Sequence, residues 1–222
     1  MGENVRYSDE LFQVGKKGLR ARAKDRDKGS TLFLRLDDQE RIALIASILD
    51  AWLDEVDFNQ AMASGALRHA WDSEPYFGGV RIGSYVTSAV ETLKDATNFS
   101  MEEFIEEWGT SLMSDAEQRA LNAMDFPLTV YRGGTGSVHS VASGHSWTLE
   151  REVASFYATK WPQRWGIEGE PVILAGKVGE HEAFAFLNDR SEAEILIPYP
   201  DEVQDLSPVL PVAGERLSAI AS

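Results

Sequence analysis

The sequence predicts an α+β protein, with a helical N-terminal region over 1–124 and a sheet-containing core over 125–222. Three observations predict it. The first half carries capping signals, a cap at Asp37 or Asp38 and two boxes in which a Ser precedes a Glu by three residues, with apolar residues at helical spacing. From Pro127 onward the pattern changes to short β-branched and aromatic runs separated by Gly and polar residues. With 222 residues, 43% of them hydrophobic, there is enough apolar material for a substantial core.

In order along the chain, residues 16–28 form a basic segment. Lys16, Lys17, Arg20, Arg22, Lys24, Arg26 and Lys28 outnumber Asp25 and Asp27. Such a segment is either a docking surface for an acidic partner or a solvated helix or arm. Asp37 or Asp38 caps a helix over 38–56, with Ile42, Ile45, Ala46, Leu49 and Leu53 on one face. A second helix follows over 57–71. EPYFGG at 74–79 is a turn, because Pro and paired Gly break regular structure. Residues 84–96 are apolar at helical spacing. Ser100 with Glu103 opens a helix to about Trp108, and Ser114 with Glu117 opens one to about Met124.

In the second half, LTVYRG reads as a strand and 133–137 as a flexible turn. Residues 144–147 form a short strand and 149–158 a helix. PVILAGKV, HEAFAFL and AEILIP are further strands. Short strands between loops predict an antiparallel or mixed sheet packed by helices.

Composition narrows the function classes. A net charge of −15 repels nucleic-acid phosphates at long range, which argues against general nucleic-acid binding. The same charge serves solubility or the imitation of nucleic acid. There is no cysteine, so disulfides and thiolate metal sites are excluded. The histidines are His69, His139, His145 and His181, and their spacing suggests no zinc site, so no metal is expected. No dinucleotide-fold glycine motif, phosphate loop or nucleophile elbow is present. The N-terminus lacks the apolar core of a secretory signal, and no run reaches the length of a membrane span. A cytoplasmic chain without a membrane partner is expected.

Three short pieces carry the candidate chemistry: Tyr131-Arg132-Gly133, Ser146-Trp147-Thr148 and Glu192-Ala193-Glu194. A guanidinium matches phosphate oxygens in pairs, and glycine lets backbone amides approach a ligand. Ser146 and Thr148 share one face of a strand, opposite Trp147, whose indole N–H needs a partner in the core. On an extended strand Glu192 and Glu194 project together while Ala193 points the other way. After the second piece come Ala154 and Phe156-Tyr157-Ala158.

In this order and setting the chain resembles the Arg–Ser–Glu class of mono-ADP-ribosyltransferases, which includes bacterial toxins and phage effectors. The resemblance covers roughly 128–198. It implies a mixed, two-sheet core that binds NAD as a substrate. By resemblance, Arg132 and Gly133 meet the NAD phosphates, Ser146 and Thr148 support the nicotinamide ribose, and Phe156 packs near the dinucleotide. Glu194 is the catalytic glutamate, and Glu192 the upstream one that assists an arginine acceptor. Trp147 departs from the family's usual Ser-Thr-Ser, though both outward hydroxyls remain. Residues 188–191 are the loop that meets the target. Trp161, Gln163, Arg164 and Trp165 lie in a second loop that touches NAD or the target, or plugs the core.

The function expected on this resemblance is transfer of ADP-ribose to a target protein or other macromolecule, in the cytoplasm of the cell that makes it or of a phage's host. Two alternatives stand beside it. One is an NAD glycohydrolase, with water as acceptor. The other is a non-catalytic acidic inhibitor or adaptor that keeps a transferase-like fold.

Overall fold

The computed structural model describes residues 11, 19–77, 80–81 and 83–207. Lys16, Lys17, Gly78 and Gly79 therefore lie outside the described residues. The fold is α+β, with helices followed by a six-stranded sheet. Contacts divide the chain into two compact units, Met1–Arg119 and Ala120–Ser222. The division falls five residues before the change of pattern at 124/125 in the sequence. Among the described residues no helix is long and apolar enough to cross a membrane.

The first unit is built from α1 (Leu19–Leu34), α2 (Asp38–Leu53), α3 (Gln60–Asp72), α4 (Tyr85–Thr97), α5 (Met101–Leu112) and the start of α6 (Asp115–Asn122). Side-chain caps set several of the starts. Asp37 and Glu40 cap α2 reciprocally, and Ser100 with Glu103 does the same for α5. Ser114 and Glu117 close the third box at α6. Asn59 caps α3 and Ser84 caps α4.

The buried face of α2 runs through Leu44, Ile45, Ile48, Leu49 and Ala51. It is rotated from the expected one, leaving Ile42, Ala46 and Leu53 half-buried. Residues 74–79, expected as a turn, include one arm of a short antiparallel hairpin of β1 (Tyr76–Phe77) and β2 (Val80–Arg81).

Helices α1 and α3 touch backbone to backbone. A Cβ on Gly29 would stand 1.8 Å from the Met62 carbonyl oxygen, and one on Gly65 would stand 2.0 Å from that of Arg26. Only glycine fits such a crossing. Within the basic segment, Arg26 donates to the Ser111 and Leu112 carbonyls at the end of α5, at 2.6 and 3.0 Å. Asp25 is buried and accepts from Asn59. Arg22 and Lys24 are exposed. Arg68 pairs with Asp72 at 2.8 Å and Glu117 at 3.1 Å, all three nearly buried.

The second unit is one six-stranded sheet in the order β6-β7-β4-β3-β5-β8. Its strands are β3 (Leu128–Thr135), β4 (Ser146–Thr148), β5 (Pro171–Val178), β6 (Ala185–Leu187), β7 (Glu194–Leu196) and β8 (Asp201–Asp205). Each pairing is antiparallel. The expectation of a mixed, two-sheet core is corrected on both counts for this unit. Neighbours run antiparallel even where they are distant in sequence, and the β3–β4 pairing joins the strands into one sheet.

Two local expectations also change. Gly133, Gly134 and Thr135 were expected in a turn but continue β3, paired with Ile173, Val172 and Pro171. Trp161, Gln163, Arg164 and Trp165 lie in the last turns of α8 (Arg151–Trp165), not in a loop. That helix runs through Pro162 and stops at Gly166, which adopts the left-handed conformation at φ 65°. The short helix α7 (Val138–Ala142) completes the unit.

Candidate active site

The site begins with the pleat. Tyr131 on β3 pairs with Thr148 on β4, and Thr148 pairs with Glu194 on β7. Cross-strand partners share a face, so these three side chains lie on one side of the sheet. Ser146, two residues before Thr148, lies on that side as well. Helix α8 packs on the same side, where Ala154 and Ala158 meet Ile173 and Tyr131. Trp147 points the other way into the core, 1% exposed, and its indole N–H donates to the Gly144 carbonyl at 2.8 Å, the partner it requires.

Glu194 is 4% exposed. Glu192 is not on the strand, which starts at Glu194, and Ala193 between them has φ 44°. The pleat therefore does not align the two carboxylates, as an extended strand over 192–194 would. A turn aligns them instead. The Ser191 amide donates to the Asn188 carbonyl, and the Ala193 amide to the Asn188 side chain, each at 3.0 Å. Ser191 and Ala193 both have positive φ, at 56° and 44°. Holding non-glycine residues there stores about 1–3 kcal/mol each.

Into this turn reaches Arg190. Its Nη2 lies 2.9 Å from Glu192 Oε2 and 3.5 Å from Glu194 Oε2. One cation thus bridges two carboxylates that would otherwise repel. On its other oxygen, Glu192 accepts from the Tyr157 hydroxyl at 2.7 Å. The Tyr157 phenol is pushed well above the usual tyrosine range, by burial first and by its bond to Glu192 second, with Arg190 opposing.

Arg132 sits by the pleat on the opposite side from Thr148 and Glu194. Strands β3 and β4 share a single paired position, Tyr131↔Thr148. Next to it the Arg132 guanidinium donates through Nε to the Val141 carbonyl at 2.8 Å and through Nη1 to that of Ser146. A Cβ on Gly144 would collide with it, so the missing side chain makes its space. Burial pulls its pKa down to about 10, while the Glu194 carboxylate pulls the other way. It remains a cation at neutral pH and feels Glu194.

The remaining expected site residues fall as follows. Thr148 Oγ1 donates to the Glu192 carbonyl at 2.6 Å and accepts from the Glu150 amide at 3.0 Å, so it ties the turn down. The Ser146 side chain is half-buried, and its carbonyl serves Arg132. A Cβ on Gly133 would stand 1.7 Å from the Ala154 carbonyl oxygen, so this glycine admits α8 against β3. Phe156 is 37% exposed and starts an aromatic ridge along α8 with Tyr157, Trp161 and Trp165, ring centroids 5.4–6.3 Å apart. His145 is held by the Pro198 carbonyl at 3.0 Å, and its ring meets Tyr199.

Tyr157 is a contributor with no role assigned from the sequence, and Arg190 and Asn188, expected only within the loop that meets the target, hold the paired glutamates as well. A signal existed for Arg190. Arg190-x-Glu192-x-Glu194 places a cation at the start of an alternating acidic pair. Among the described residues no group of three His, Asp or Glu side chains is arranged to hold a metal ion. No family model, curated protein or solved structure matches the chain.

Proposed function

We propose that the chain is a mono-ADP-ribosyltransferase that takes NAD as substrate and transfers ADP-ribose to an arginine of a target macromolecule. One observation carries the reading. A buried glutamate, Glu194, and a more open one, Glu192, share a guanidinium beside an aromatic ridge. Their side chains are 6% and 24% exposed. The chemistry asks for that division. Cleavage of the ribose–nicotinamide bond releases a neutral leaving group and leaves positive charge on the ribose, as in glycoside hydrolysis. A carboxylate withdrawn from water stabilises that charge most strongly, which suits Glu194. The acceptor guanidinium is charged in water and must give up a proton to attack. Glu192, reachable from solvent and oriented by Tyr157, suits that exchange.

A second reading has its own observation. Two of the Arg132 donors are already bonded to backbone carbonyls, as in a structural arginine. A non-catalytic adaptor built on this unit would bind its partner stoichiometrically without NAD.

Labelled NAD and a bacterial lysate separate the two. Wild type labels a discrete target and releases nicotinamide. Glu194→Gln lowers nicotinamide release by about 100- to 1,000-fold, the usual cost of removing one stabiliser of developing charge. Glu192→Gln loses transfer yet still releases nicotinamide. A folded wild type that neither labels nor releases nicotinamide refutes the transferase reading.

A further inference from the structure

The geometry points to helix α8 as a docking surface for single-stranded nucleic acid. The inference is independent of the transferase reading and adds a binding surface to the sheet unit.

Two parallel stripes carry the argument. Residues four apart on a helix stand one above the other on one face. Tyr157, Trp161 and Trp165 form one such stripe, and Phe156, Lys160 and Arg164 form its neighbour, offset by one residue. In the first stripe adjacent ring centroids are 5.6 and 5.7 Å apart. Trp165 is 42% exposed, and Lys160 and Arg164 are exposed as well. The Arg164 guanidinium lies over the Trp165 ring, 5.9 Å from its centroid. An aromatic rail thus runs beside a cationic one.

Charge selects the occupant. Over 120–207 the Lys and Arg residues are few against the Asp and Glu. Arg132 is bonded to backbone carbonyls, Arg190 to the paired glutamates and Lys177 to the Thr129 hydroxyl. The other three, Arg151, Lys160 and Arg164, all lie on α8. Cations alongside ring faces suit a ligand that carries flat, uncharged rings on an anionic chain. Nucleobases stack on aromatic side chains with little regard to sequence, and phosphates take the flanking Lys and Arg. A basic peptide would meet the same two cations and be repelled. The net charge of −15 opposes general nucleic-acid binding, so the attraction is confined to this helix.

Spacing selects an unpaired strand. Four helical residues rise about 6 Å, whereas bases in a duplex advance about 3.4 Å. Successive bases must part to lie against successive rings, which unpaired nucleotides do and a duplex does not. Carboxylates close the ridge at both ends. Glu192 accepts from the Tyr157 hydroxyl at 2.7 Å, and Glu168 and Glu170 are exposed just past the end of the helix. The strand therefore touches the ridge over a short run of nucleotides.

The test follows fluorescence anisotropy of short end-labelled RNA and DNA single strands, and of the matching duplexes, as the full chain is added. The expected result is binding of single strands and far weaker binding of duplexes. Trp165→Ala weakens single-strand binding by about 5- to 150-fold, the usual loss for one stacked base, and Trp165→Phe, which keeps a ring, restores most of it. Lys160→Ala weakens all single strands alike and makes the dependence of log affinity on log salt shallower by about 0.7. Denaturant unfolding of each variant checks that α8 is intact. The inference is overturned if single strands do not bind, or bind equally well to folded Trp165→Ala. Duplexes or abasic strands that bind as well as the intact single strand overturn it too. An arginine-rich peptide held through Trp165 in place of the strand assigns the ridge to a basic partner instead. A dimer that Trp165→Ala dissolves, with no strand bound, assigns it to a second copy of the chain. Either result overturns the inference, and none of these readouts bears on nicotinamide release.

Discussion

Each unit of the molecule contains a tyrosine, a carboxylate and an arginine in mutual contact, and the two groupings are built to different ends. In the helical unit the Tyr85 hydroxyl donates to Asp38 at 2.5 Å and accepts from Arg41 at 3.0 Å. Arg41 also donates to the Phe33 and Leu34 carbonyls and lies over the Phe33 and Tyr85 rings, 5.2 and 5.5 Å from their centroids. In the sheet unit Tyr157 donates to Glu192, which pairs with Arg190. There the guanidinium rests on two carboxylates at the surface of a turn. Arg41 is a strut, because backbone carbonyls and ring faces fix its plane. Arg190 is an occupant, because what it touches would equally accept another guanidinium. The same side-chain types give structure or chemistry according to what else the cation is bonded to.

The largest expected contrast comes from deleting each cation. Arg41→Ala, which removes the bonds to the Phe33 and Leu34 carbonyls, to Tyr85 and to Asp38 together, destabilises by about 2–4 kcal/mol in denaturant unfolding. Arg190→Ala, whose cation is 43% exposed but which leaves Glu192 beside the buried Glu194, costs less, about 1–2 kcal/mol. Equal losses would erase the distinction between strut and occupant.

Glycine contacts sharpen it further. Gly29→Ala and Gly133→Ala each force a backbone apart, at Met62 and at Ala154, and each costs about 1–3 kcal/mol. They differ in consequence. On the proposed transferase activity, Gly133→Ala displaces α8, which carries Tyr157, and lowers nicotinamide release. Gly29→Ala leaves nicotinamide release of the folded protein unchanged. A Gly133→Ala protein with full nicotinamide release would show that the position of α8 does not matter to the site.

The smallest effect is spectroscopic. Both Tyr85 and Tyr157 are raised above the ordinary value of 10.0, by burial first and by the carboxylate bond second. A raised native pKa means that the stability from the neutral phenol is complete below 10.0 and is lost as pH climbs through the native value. Tyr85→Phe and Tyr157→Phe should each remove one late phenolate step from an alkaline absorbance titration. If the step lost with Tyr157 lies at or below 10.0, the Glu192 bond does not persist in solution.

The helical unit was the more legible in the sequence because its ends are set locally. Asp37 with Glu40, Ser100 with Glu103, and Ser114 with Glu117 are contacts across three residues. The sheet unit yielded its strands but not their details, which are decided at a distance. Gly133 looked like a turn residue, and its reason is the Ala154 carbonyl of another element. The helix expected over 149–158 continues through Pro162 to Trp165. Glu192 and Glu194 looked aligned by a pleat. Their meeting depends on an Ala193 backbone conformation that no periodicity announces. The edge strand Asp201–Asp205 is mostly polar and gave no apolar signal.

Arg132 has a mechanical meaning beyond its charge. Antiparallel neighbours ordinarily hold along a ladder, as β3 and β5 do over eight positions. Between β3 and β4 there is one rung, and the guanidinium stands in for the next by gripping the Ser146 carbonyl. The six strands therefore form one sheet whose narrowest seam, between β6-β7-β4 and β3-β5-β8, is riveted by this side chain. Anything that draws this arginine away loosens the rivet, so a ligand's charge can be felt as a change in the stiffness of the sheet.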